Sequence, residues 1–172
     1  MASLIDTLTE VLDGEDKEYQ KLLSLSKDKT DVIVRGDLNA LSVITDKEQE
    51  VVSRIMALES QRTSTMTDIA KILNTDVSGL KLNVLIDLLK KKPKEQKALA
   101  QVHDRLHATL FEMKIINERN AELIKTAIEM TDFNMTLLQS ARKAPETANY
   151  NKGAYNTGSY LGVDTGSFDA KQ

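Results

Sequence analysis

Two histidines one helical turn apart, His103 and His107, have the spacing best suited to chemistry. At i, i+4 on a helix both rings can reach one zinc ion. But Asp104 stands where a zinc protease needs the longer Glu, and no third ligand is indicated downstream. A phosphotransfer histidine would be followed by a Lys and then a Gly; here Asp104, Arg105 and Leu106 follow His103. Both histidines therefore read as surface or partly buried helix residues. The absence of cysteine excludes a disulfide framework and Cys-based zinc sites. The sequence contains no glycine-rich phosphate loop and no nucleophile elbow, so it predicts no enzyme, no metal and no cofactor. Arg35-Gly36-Asp37 spells an adhesion tripeptide but reads as a helix end, a left-handed glycine and the cap of the next helix. Lys90, Lys91, Lys92, Lys94 and Lys97 form the basic cluster. It reads as a solvated helix terminus, with contact to an acidic partner as the alternative. A net charge of −3 and no aromatic residue among these lysines argue against nucleic acid.

The elements that must position these residues are helical. Aromatics make up 4% of the 172 residues, with two prolines and seven glycines. Sheet folds need more aromatic, β-branched and turn residues than this. Apolar residues recur at three- and four-residue steps, predicting helices over about 2–34, 38–73, 80–91 and 95–143. The fold class is all-α: an elongated up-down helical bundle or antiparallel coiled coil. It has three long helices, one short helix that covers one end, and a C-terminal tail. Residues 1–144 are assigned to the bundle and 145–172 to the tail. Gly14 reads as a flaw in the first helix costing up to about 1 kcal/mol. Asn74-Thr75-Asp76 should stop the second, whose centre is polar from Arg62 to Thr67.

The last long segment runs through Leu99, Val102, Leu106, Leu110, Met113, Ile116, Asn120, Leu123, Ala127, Met130, Asn134 and Leu137. This resembles a coiled-coil seam with two polar insertions. Asn120 and Asn134 either fix register inside the seam or lie at its edge in contact with water. From Leu123 onward a second seam, Ile124, Ile128, Met135 and Leu138, runs about 100° from the first, and Phe133 widens the arc. One seam suffices for a bundle helix. The last helix also exceeds the first two by about 12 residues, or roughly 18 Å. Such an apolar excess either packs wholly inside the bundle or calls for a cover: a second copy, the tail, or a partner helix. The tail nearly repeats Tyr150-Asn-Lys-Gly153, Tyr155-Asn-Thr-Gly158 and Tyr160-Leu-Gly162. Its composition predicts disorder in isolation, with the tyrosines and Phe168 as attachment points.

Ile116-Asn117-Glu-Arg-Asn120-Ala-Glu-Leu123-Ile124 resembles the N-x-x-N-x-x-L-I element of the FlgN family of flagellar export chaperones. Leu99, Leu106 and Leu110 match the family's spacing before it. Leu22-Leu23-x-Leu25, Gly36-Asp37-x-x-Ala-Leu41, Glu48 through Arg62, and a tail ending near Phe168-Asp169-x-Lys171 are also similar. The resemblance implies a cytoplasmic chaperone for hook–filament junction (hook-associated) proteins, with no membrane insertion. It implies that the C-terminal helical region binds the helical end of the client. Here that region holds Asn117, Asn120, Leu123, Ile124, Ala127, Ile128, Phe133, Met135 and Leu138. Tyr150, Tyr155 and Tyr160 become candidates for docking at the flagellar export gate. The alternative is a structural coiled-coil adaptor that forms a homodimer through the same apolar surface. The N-terminus carries no basic, apolar leader, so no secretory signal is expected.

Overall fold

The computed structural model describes residues 2–76 and 79–142. The tail, including Tyr150, Tyr155 and Tyr160, lies outside the described residues. Among the described residues four α-helices follow one another: α1 (Ala2–Arg35), α2 (Leu38–Leu73), α3 (Leu82–Leu88) and α4 (Pro93–Arg142), with a 3-10 turn at Leu89–Lys91. By its contacts the chain divides into two units, Met1–Ala127 and Ile128–Gln172.

The turn between α1 and α2 uses the residues that its chemistry requires. Gly36 adopts φ 67°, and its N–H bonds the Ile33 carbonyl at 3.0 Å. Asp37 accepts a hydrogen bond from Ala40 N at 3.0 Å and so caps α2. A Cβ at Gly36 would meet nothing within 4 Å. The cost of Gly36→Ala is therefore backbone strain alone, about 1 kcal/mol, to be read from urea melts. Helix α2 ends on a left-handed Asn74 (φ 52°), with Thr75 N bonding the Ala70 carbonyl at 3.0 Å. Pro93 is the first residue of α4, where its missing N–H would be unused in any case. Gln96 reaches back from α4 and donates to the Ile86 carbonyl at 3.0 Å, tying the end of α3 to it.

Within the first unit, cross-helix pairs fix the directions. Glu15 faces Arg62, Tyr19 faces Glu59, and Lys29 faces Glu48, so α1 and α2 are antiparallel. Asp16 faces Arg105 and Thr109, and Ser26 faces Asn120, so α4 runs parallel to α1. The core forms two clusters. One joins Ile5, Leu8 and Leu12 to Ile69, Leu80, Leu85, Leu89, Leu99, Val102 and Leu106. The other joins Leu22 and Leu23 to Val51, Ile55 and Met113. Tyr19 is partly buried against both. Gly14 is a close-approach position rather than a mere flaw: a Cβ there would lie 3.3 Å from Leu58 Cδ2.

A polar layer separates the two clusters. Glu15 and Asp16 are each only 1% exposed. Asp16 Oδ2 accepts from Arg105 Nε at 2.6 Å and from Gln20 Nε2 at 2.9 Å, and Oδ1 accepts from Thr109 Oγ1 at 2.8 Å. Arg105 also bonds Asp13. Lys17 first, and Arg105 after it, hold the Asp13 carboxyl below the usual range. Glu15 is less well served. Arg62 Nε lies 3.2 Å from its Oε1 but without hydrogen-bond alignment, leaving that buried oxygen unbonded among the described residues. Burial, aided by the Glu59 charge and opposed by Arg62, raises the Glu15 pKa above 4.5. A raised carboxyl pKa means that the folded state binds the proton more tightly than the unfolded chain does. Stability then falls as pH climbs from about 4.5 through the folded value. Glu15→Gln should remove that loss, so its advantage in melting temperature over the parent is larger near pH 7 than near pH 4.

Candidate functional site

The residues singled out on α4 divide by burial. Asn120 is 3% exposed. Its Nδ2 donates to the Ser26 carbonyl at 2.8 Å, and its Oδ1 accepts from Thr30 Oγ1 at 2.6 Å. Of the two sequence readings, the buried one holds: Asn120 locks the register of α4 against α1. Asn134, by contrast, is exposed, as is Asn117. Leu123 and Ile124 are half-buried. Asn120 is the last buried residue of α4, and every residue from Lys125 to Arg142 is exposed.

The second unit's described stretch, 128–142, carries the apolar residues. Ile128, Met130, Phe133, Met135, Leu137 and Leu138 are between 52% and 65% exposed. Helical spacing sets Ile128, Met135 and Leu138 on one ridge and Met130, Phe133 and Leu137 on another. Thr131 and Asn134 lie between the two ridges, and Glu129 and Asp132 take the remaining side. A lone exposed Leu would mean nothing, but six large apolar side chains within eleven residues form a patch that asks for a partner.

The two histidines singled out for chemistry sit side by side on α4. His103 and His107 stack with ring centroids 6.4 Å apart, and His103 Nδ1 lies 3.1 Å from Asp104 Oδ1. Among the described residues no group of three or more His, Cys, Asp or Glu could hold a metal ion. No described helix is long and apolar enough to cross a membrane. Two exposed residues that the seam pattern passes over are Phe111 and Ile115, 63% and 49% exposed. Their i, i+4 spacing off the seam is the signal that could have found them.

The family model described as FlgN protein matches residues 1–157. The chain belongs to the FlgN family. That family supplies flagellar export chaperones, which agrees with an all-α chain that carries an exposed apolar helical stretch. The chain is also similar to the uncharacterized protein YvyG of Bacillus subtilis (strain 168). The two are 26% identical over 134 residues, covering 77% of this chain and 76% of that protein. No solved structure matches. The FlgN match spans α1 through α4, so the exposed ridges belong to the family's own domain.

Proposed function

We propose that this FlgN-family chain is a cytoplasmic chaperone of hook–filament junction proteins. It holds the helical C-terminus of a client against the apolar residues of α4, keeping the client soluble and competent for export. One observation carries the reading: six large apolar side chains between Ile128 and Leu138, each more than half exposed. An amphipathic client helix laid on these ridges gains about 25 cal/mol for each Å² of apolar surface removed from water. Leu123, Ile124, Ala127 and the exposed Asn117, in the first unit, are proposed as further client contacts. Asn120 contributes by fixing α4 against α1, since its amide is already committed there. Tyr150, Tyr155 and Tyr160 are proposed to contact the export gate once a client is held.

The test is a calorimetric titration of the full chain with a C-terminal helical peptide of a junction protein. Methyl NMR of Ile128, Met135 and Leu138 runs alongside it. Saturable binding that shifts these methyl signals is the expected result. No heat and no shift, together with a dimer in sedimentation that Leu138→Asp dissolves, would replace the chaperone with the self-associating adaptor.

A further inference from the structure

The outer side of α3 carries a stripe that the core does not use. Leu85 and Leu89 are buried, with Leu82 and Ile86 partly so. Off that buried side Val84 and Leu88, one helical turn apart, share one face of α3, with Lys81 at its N-cap and Lys91 in the following 3-10 turn flanking it at either end. Val84 and Leu88 are 43% and 56% exposed. Lys92, Lys94 and Lys97 continue the positive charge into the start of α4. Lys90 makes a loose 3.7 Å pair with the exposed Asp87. Lys81, Lys91, Lys92, Lys94 and Lys97 have no ion pair among the described residues. Lys17, Lys21, Lys29, Arg54, Arg62 and Arg105 each face a carboxylate, and what sets this stripe apart is the crowding of five lysines without such a partner between 81 and 97. A cluster of unneutralised ammonium groups flanking an apolar step, in a chain of net charge −3, has a definite complement.

We propose that this stripe docks an acidic amphipathic polypeptide segment. The segment's carboxylates meet the lysines and its aliphatic side chains cover Val84 and Leu88. Charge complementarity selects this occupant. A membrane-lying helix needs a broad apolar face, commonly with aromatic anchors, and this stripe offers two aliphatic residues beside Asp87. Single-stranded nucleic acid needs stacking aromatics, and α3 has none. The stripe shares no residue with the α4 ridges.

Fluorescence anisotropy of the full chain tests it. The probe is a labelled helical peptide with Leu at i, i+3, i+4 and i+7 and Glu at the other positions. The combined Lys81→Glu, Lys91→Glu and Lys94→Glu variant should weaken binding about tenfold or more, and added salt should weaken the parent's binding. The pair Val84→Ser and Leu88→Ser should weaken it too, and both losses should persist in a Leu138→Asp background, where the probe can no longer use the α4 ridges. All these positions are exposed, and circular dichroism confirms the fold of each variant. The site is overturned if the charge-reversed variant binds as the parent does. It is equally overturned if Leu138→Asp alone abolishes binding, or if vesicles containing phosphatidylglycerol displace the peptide.

Discussion

Replacing Asp16 by Ala should cost this protein about 2–4 kcal/mol, among the largest losses available from a single polar side chain. The residue is 1% exposed and accepts three hydrogen bonds, two of them from α4. Removing one partner of a buried ion pair ordinarily costs 3–5 kcal/mol, but Arg105 is 46% exposed, can rehydrate and keeps Asp13, so the lower range applies. Thr109 is also cushioned, because its hydroxyl can turn to the Arg105 carbonyl at 3.1 Å. For a domain of this size the melting temperature should drop by roughly 5–12 °C. Asp16→Asn preserves volume and one acceptor but presents an amide to Arg105, so it should fall between parent and Ala. Thermal melts of the three proteins decide this. Equal stabilities would mean that the polar layer contributes nothing to the bundle.

The second large effect is on binding and should leave stability alone. Met135→Asp with Leu138→Asp places two carboxylates on one exposed ridge of α4. Neither residue is buried, so the melting free energy should stay within about 0.5 kcal/mol of the parent. A client helix would have to bury both charges without partners. Affinity for the junction-protein peptide should fall about 100-fold or beyond detection in a titration. A variant that melts as the parent does and binds undiminished would move the client elsewhere on the chain.

The helices were legible because their apolar residues recur at three- and four-residue steps and their stops are local. Gly36-Asp37 and Asn74 act through their own backbone and side chains, so short stretches of sequence suffice to read them. The exposed ridges were legible as well, since two seams on one helix exceed what a three-helix bundle can cover. Glu15 and Asp16 were not. They fill the buried stripe between Leu12 and Tyr19, and the six-residue gap in the apolar pattern is the trace they leave. What makes an acid tolerable there is Arg105 and Thr109, about 90 residues away in the chain. The fate of Asn120 was undecidable for the same reason: its partners Ser26 and Thr30 are on α1. Short-range sequence records periodicity and caps; it does not record who answers a buried polar group across the bundle.

The methionines carry a further consequence. Met113 is buried in the core and Met66 is partly covered, whereas Met130 and Met135 are 62% and 52% exposed on the apolar ridges. Peroxide would therefore reach the ridges well before it reached the core. Sulfoxide there turns a soft apolar side chain into a polar one. Mild oxidation should thus silence client capture in a chain that still melts at its usual temperature, and methionine sulfoxide reductase should restore it.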